Sequence, residues 1–287
     1  MSTTALQYPR LFISLIKFEH TVFALPFAYV GAFLVADGVP HSAYLVWLTV
    51  AMVGARSLAM AINRLVDADL DAQNPRTKSR ELPRGLLSRV SVIVFCLLSL
   101  GLFLLAVSQL APLVRWLWPI PIVFFVIYPY LKRFTWLCHI WLGVAIGLSP
   151  IAAWIAFTNS FSIEAAILGI AVATWVSGFD ILYGFFDLEV DRSQGLHSIP
   201  ARFGVVKALV ISRLLHLMTV GFLAISGLLL DSGYFYWAGV GIVGILLVRE
   251  HSLISSRDWR RLNSAFFLMN GAIALIFFAF VLIDVLR

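Results

Sequence analysis

Long apolar runs, interrupted at intervals by short polar segments, dominate this chain. Nine runs can be delimited, at about 11–36, 43–63, 90–110, 116–131, 136–157, 161–186, 205–230, 233–248 and 264–283. Membrane barrel strands are about 10 residues long and alternate strictly. These runs are longer and apolar all round, which predicts helices, whose backbone hydrogen bonds are satisfied internally in lipid. Short turns such as Asp37-Gly38-Val39-Pro40 and Asp231-Ser232-Gly233 join the runs on one side, and longer charged segments join them on the other. The pattern predicts an all-α, polytopic membrane protein with nine transmembrane helices in a single domain over residues 1–287. Two charged loops, about 64–89 and 187–204, cap one end.

Composition agrees with a lipid bilayer as the surrounding medium. The 287 residues are 61% hydrophobic and 13% charged, with a mean hydropathy of +0.94. Soluble domains run nearer to about 45–50% apolar and about 25% charged. A soluble enzyme, a disordered chain and a disulfide-rich secreted domain are excluded. The formal charge of +6 would suggest nucleic acid in a soluble protein. Here the basic residues follow topology instead, and no nucleic-acid partner is implied. With nine spans, nearly all Lys and Arg fall on one side, with Arg115 and Arg287 on the other and Arg56 inside the second span. The positive-inside bias therefore predicts an inner-membrane protein with a cytoplasmic N-terminus and an external C-terminus. Lys17, Glu19 and His20 interrupt the first run, so it does not read as a cleavable signal. Cys96 and Cys138 are isolated thiols with no metal-ligand spacing.

The chemistry lies in charges at the cytoplasmic ends of spans two and six. Asn63, Asp67 and Asp71 are spaced i, i+4, i+8, which places them within about 40° on one helix face, with Asp69 pointing elsewhere. Asp180, Asp187 and Asp191 also lie within about 40° of one face, with Tyr183 about 60° to one side and Glu189 off it. Like charges at i, i+4 repel, and a cation relieves that repulsion. Carboxylates and an amide carbonyl are hard oxygen donors suited to Mg²⁺, which pairs one or two carboxylates with substrate phosphates. The two clusters thus suggest Mg²⁺ ions held around a diphosphate. Arg64, Arg76 and Arg80 accompany the first cluster, and Lys132 and Arg133 follow span four. All five are candidates for charge-assisted hydrogen bonds to diphosphate. The parallel layout of the two clusters hints at two four-helix halves plus a ninth helix.

The segment N-x-x-x-D-x-x-x-D at Asn63–Asp71, with Asn74-Pro75-Arg76-Thr77 after it, resembles the first motif of the UbiA superfamily of intramembrane prenyltransferases. D-x-x-Y-x-x-x-D-x-x-x-D at Asp180–Asp191 resembles the second. Tyr128-Pro-Tyr-Leu-Lys132-Arg133-Phe-Thr is similar to a segment of the 4-hydroxybenzoate polyprenyltransferases. The resemblance implies nine helices around a central cavity that opens sideways to lipid. It implies metal-bridged diphosphate binding by Asn63, Asp67, Asp71, Asp187 and Asp191. The implied reaction is Mg²⁺-dependent transfer of a polyprenyl group from an allylic diphosphate to an aromatic hydroxy-carboxylate. Lys17-Phe-Glu19-His20 and Cys138-His139 depart from the ubiquinone-type pattern and look more like the futalosine-route menaquinone branch. The acceptor is then a dihydroxynaphthoate or 4-hydroxybenzoate. A haem or chlorophyll-type acceptor, or a secondary transporter, is the alternative.

Two deeper charges bear on the acceptor. Arg56 lies about 10 Å further into the bilayer than Asn63 on the same face, and Asp180 about 16 Å deeper than Asp191. Ionisable residues inside spans face a cavity or a partner. Arg56 is therefore expected to bind the acceptor carboxylate, and Asp180 with Tyr183 to orient or deprotonate its phenol. The opposing expectation is a structural Arg56–Asp180 pair. Glu19 and His20 are weaker candidates at the cavity mouth, and Asn263 and Asn270 are expected to hydrogen-bond between helices.

Overall fold

A computed structural model describes residues 8–17, 21–254 and 262–287, with no side-chain description for residues 8, 21–23 and 262–267. The described residues are helical, and every apolar run predicted from the sequence carries a helix. The helices are α1 (Tyr8–Leu15), α2 (Thr21–Ala36), α3 (Ser42–Val66), α4 (Ala68–Gln73), α5 (Arg89–Ser108), α6 (Val114–Leu117) and α7 (Pro119–Leu131). They continue as α8 (Cys138–Thr158), α9 (Ile163–Tyr183), α10 (Leu188–Ser193), α11 (Ile199–Leu229), α12 (Tyr234–Leu253) and α13 (Leu262–Val285).

Seven of the described segments, rather than nine, are long and apolar enough to cross a membrane. The difference lies in α2 and α12. With 16 residues, α2 spans about 24 Å, short of a hydrocarbon core about 30 Å thick. The last turns of α12 carry Arg249, Glu250 and His251, which lower its hydropathy. The first predicted run is also two helices: Lys17 takes a left-handed φ of 48° just after α1. Glu19 and His20 lie outside the described residues, and so does the Asn263 side chain.

Helix starts are set by local caps. Ser88, Ser162 and Ser198 accept from the backbone N–H three residues on, at the heads of α5, α9 and α11. Each satisfies one of the donors that a helix N-terminus leaves open. One apolar cluster joins α9, α11, α12 and α13, and another joins α3, α5 and α8. Helix α2 belongs to both, through Phe27 and Val30 on one side and Ala28 and Ala32 on the other.

The contact that positions the site is that between α8 and α9. A Cβ at Gly143 would stand 2.0 Å from Ser177 Oγ, and one at Gly147 would stand 2.5 Å from the Gly169 carbonyl. Two glycines one turn apart let the backbones approach closely, the usual route to tight helix packing in lipid. In the second half, Trp175 donates to Asn270 Oδ1 at 3.1 Å, and Asn270 donates to Glu250 Oε1 at 2.6 Å. Asn270 thus links α9, α12 and α13, the interhelical role expected of it.

Candidate functional site

The predicted acids meet at one end of the bundle, but not on two continuous helices. Helix α3 stops at Val66, Asp67 has φ −91° and ψ 4°, and the six-residue α4 follows. Helix α9 tightens into a 3₁₀ turn over Gly184–Asp187, and the six-residue α10 follows Asp187. In both halves a long helix breaks at the central aspartate and restarts as a short one. The straight-helix arrangement expected from spacing is therefore replaced by two bent helix ends, and each junction aspartate is paired with cations from elsewhere in the chain.

Asp67, only 3% exposed, accepts from Lys132 Nζ at 2.6 Å and from Arg133 Nη2 at 3.2 Å. Asp71 accepts from Arg80 Nη1 at 2.6 and 2.7 Å on its two oxygens. Asp187 accepts a bidentate pair from Arg76, at 2.9 Å from Nε and 2.5 Å from Nη2. The loop after α4 shapes this last contact. Asn74 accepts from the Arg76 backbone N–H at 2.9 Å and donates from Nδ2 to Asp187 Oδ1 at 2.9 Å. One asparagine therefore both turns the loop and ties it to the opposite half. Burial alone would depress the Arg76 guanidinium, but its bond to Asp187, with Tyr183 and Asp71 nearby, raises it above the usual arginine value. Asp69 instead faces outward to Arg89 at 2.6 Å, off the site as its spacing implies.

These groups enclose a cavity of about 190 Å³. Asn63, Asp67, Asp71, Arg76 and Arg80 line it from the first half, Lys132 from the end of α7, and Asp180, Tyr183, Asp187 and Asp191 from the second half. Three predicted residues are not in its lining. Arg64 directs Nε to the Leu15 carbonyl at 3.3 Å, so it ties α1 to α3. Arg133 stands behind Asp67, where it also donates to the Val66 and Pro129 carbonyls. Arg56 is half-buried on α3 below the cavity.

The hydrogen bond to Asp180 comes from a residue other than Arg56, the partner that the structural-pair expectation named. The Tyr183 hydroxyl accepts from Arg76 Nη1 at 2.9 Å, which places it with the cations. Asp180 Oδ2 lies 2.7 Å from His139 Nδ1, at the head of α8. His139 was not among the predicted site residues. A signal was present, however: His139 precedes Gly143 by one turn and so shares the face that packs on α9, where an intramembrane acid needs a partner. Asn74, Thr77, Tyr128 and Ser198 also line the cavity.

The donor set fits Mg²⁺ by its chemistry. Asn63 and the four aspartates are hard oxygen donors facing one cavity. Among the described residues no three His, Cys, Asp or Glu side chains form a metal cage.

The chain matches the UbiA prenyltransferase family over residues 24–280. It is 31% identical over 254 residues to a 4-hydroxybenzoate octaprenyltransferase of Neisseria gonorrhoeae, covering 88% of this chain and 84% of that one. It is 32% identical over 259 residues to the enzyme of the same name from Nitrosomonas eutropha, covering 89% of each. Its fold matches the apo structure of a UbiA homologue from Aeropyrum pernix with a TM-score of 0.84 at 29% identity, over 93% of this chain and 98% of that one. A UbiA homologue from Archaeoglobus fulgidus bound to GPP and Mg²⁺ shares the fold with a TM-score of 0.78 at 18% identity, over 96% of this chain and 99% of that one.

Proposed function

This chain belongs to the UbiA prenyltransferase family, and on that footing we propose that it transfers a polyprenyl group from an allylic diphosphate to an aromatic hydroxy-carboxylate within the membrane. The observation that carries the reading is the facing of two acidic helix ends, paired with Arg and Lys from other parts of the chain, across one cavity. An anion with several oxygens is the ligand that such a set of cations recognises.

Lys132, Arg76 and Arg80 would bind the diphosphate, leaving Asp67, Asp71, Asp187 and Asp191, with Asn63, to hold Mg²⁺. Bound Mg²⁺ neutralises the diphosphate and eases its departure. Arg133, behind Asp67, keeps that carboxylate oriented while Lys132 turns to substrate. Tyr183, bonded to Arg76, would hold the guanidinium in place. Arg56, about 10 Å deeper than Asn63 by helix rise, would bind the acceptor carboxylate, and Asp180 would serve the acceptor hydroxyl. The apolar bundle carries the prenyl tail. The positive-inside bias of the basic loops supports a cavity on the cytoplasmic face of an inner membrane, with the N-terminus inside and the C-terminus outside, an orientation that requires α2 and α12 to cross as well.

Names of the relatives favour 4-hydroxybenzoate as acceptor. Cys138-His139 and the Lys17–His20 segment favour a dihydroxynaphthoate on the route to menaquinone. An acceptor panel tests this: 4-hydroxybenzoate against 1,4-dihydroxy-6-naphthoate and 1,4-dihydroxy-2-naphthoate, with Mg²⁺ and a prenyl diphosphate in membranes. Turnover preferring a naphthoate supports the menaquinone reading, preference for 4-hydroxybenzoate replaces it with the ubiquinone one, and transfer to none of the three removes the aromatic class.

A further inference from the structure

We propose that His139, held by Asp180, takes the proton from the acceptor hydroxyl as the new carbon–carbon bond forms. This rests on the prenyltransferase reading above and adds a residue to it.

The pair is a built feature. His139 is 5% exposed, and its Nδ1 lies 2.7 Å from Asp180 Oδ2. An ionised carboxylate can only accept, so in the neutral form of the ring that the proposal requires, this hydrogen bond puts the imidazole proton on Nδ1. The lone pair is then on Nε2. That atom is buried and has no hydrogen-bond partner among the described residues. His139 and Gly184 both line the cavity. A Cβ at Gly184 would stand 3.1 Å from His139 Cε1 and 3.6 Å from Nε2, so the glycine keeps that edge of the ring clear. An aspartate fixing the tautomer through Nδ1–H, with Nε2 left unpartnered on a residue that lines the cavity, is the arrangement by which histidine acts as a general base.

Its place in the fold separates it from the diphosphate machinery. Asp67, Asp71 and Asp187 are held by Lys132, Arg80 and Arg76, whereas Asp180 is held by His139 one turn before Asp187's 3₁₀ segment. The carbon–oxygen bond of the allylic diphosphate breaks with its electron pair leaving on oxygen. The ring carbon beside the acceptor hydroxyl bonds to the allylic carbon while the hydroxyl proton passes to His139 Nε2. The resulting dienone loses the proton on its alkylated carbon to the departing diphosphate or to water. His139 then returns its proton to the oxygen, restoring the aromatic hydroxyl, and one proton is released overall.

The test compares His139→Gln and His139→Ala with the unaltered chain in nanodiscs. Two activities are followed: transfer to the aromatic acceptor, and acceptor-free, Mg²⁺-dependent release of diphosphate from geranyl diphosphate. The expected result is a fall in kcat for transfer of about 100-fold, the usual scale of a lost general base. The KM for prenyl diphosphate and the acceptor-free release stay within about two-fold, a margin well below that scale. The loss should also shrink with a more acidic phenol such as 3-fluoro-4-hydroxybenzoate, because such a phenol needs less help from a base. A merely structural role would not produce that dependence. Unchanged transfer in both variants, an equal fall of transfer and release, or a loss independent of phenol acidity would each overturn the proposal. Absence of both transfer and release in the unaltered chain would instead count against the prenyltransferase reading itself.

Discussion

Arg76 and Asp187 are joined by two parallel hydrogen bonds, at 2.9 and 2.5 Å, across a sequence separation of 111 residues. The same guanidinium donates to the Tyr183 hydroxyl at 2.9 Å and lies over the Tyr183 ring at 5.2 Å from its centroid. One planar fork thus engages three groups of the second helix end. Lysine offers the charge but not the fork. Arg76→Lys should therefore raise the KM for prenyl diphosphate about 10-fold, roughly 1.4 kcal/mol of lost binding, while the acceptor KM holds. Steady-state kinetics with each substrate varied in turn measures both, and an unchanged prenyl diphosphate KM would remove Arg76 from that role.

Helix packing sets the geometry of the His139–Asp180 pair, and Gly143 controls that packing. A Cβ at Gly143 would fall 2.3 Å from the Ala173 carbonyl, which is backbone and has little room to yield. Gly143→Ala should push α8 away from α9, destabilising the protein by about 1–3 kcal/mol, the usual cost of overpacking. It should also reduce transfer by displacing His139, one turn away. Thermal unfolding in detergent reads the first effect. A melting temperature equal to that of the unaltered chain would show that the contact is looser than described.

Arg56 and Arg64 make a paired comparison on one helix. Arg56 is assigned the acceptor carboxylate, so Arg56→Ala should raise the acceptor KM about 10-fold or more, on the scale of a lost charge-assisted hydrogen bond, without altering the prenyl diphosphate KM. Arg64 bonds to the Leu15 carbonyl, so Arg64→Ala should leave both KM values unchanged and weaken the docking of α1. Kinetics of the two variants side by side settles both. An acceptor KM unmoved by Arg56→Ala sinks the carboxylate role, and a raised prenyl diphosphate KM in Arg64→Ala would return Arg64 to the diphosphate site.

Much of this site was legible in the chain because its chemistry is concentrated at helix ends. Acids at i, i+4 are costly on an apolar span unless something binds them, so Asp67, Asp71, Asp187 and Asp191 stood out by spacing alone. Lys132 stood out because it followed a span directly. What stayed hidden depends on contacts between distant segments. The break at Asp67 coincides with its ion pairs to Lys132 and Arg133, and no local residue announces it. Arg64 shares a helix turn with Asn63, yet it turns to α1. His139 reads in isolation as a polar residue at a span start, and only the Gly143–Gly147 approach to α9 gives it Asp180 as partner. Helix content was legible from hydropathy. The shortness of α2 was not read, although Lys17, Glu19 and His20 interrupt the first run near the turn that Lys17 makes.

The central claim is that acids from both helix ends hold Mg²⁺ for one diphosphate. The most direct measurement is the Mg²⁺ dependence of prenyl transfer in the unaltered chain, in Asp67→Asn and in Asp187→Asn, each with its folded state checked by thermal unfolding. The account predicts transfer that is abolished by chelation and restored by Mg²⁺. It also predicts that each variant folds but loses transfer by about 100-fold or more, the scale on which removing transition-state charge stabilisation is felt, with part of the loss recovered at high Mg²⁺. Transfer that persists under chelation, or full activity in either folded variant, would contradict it.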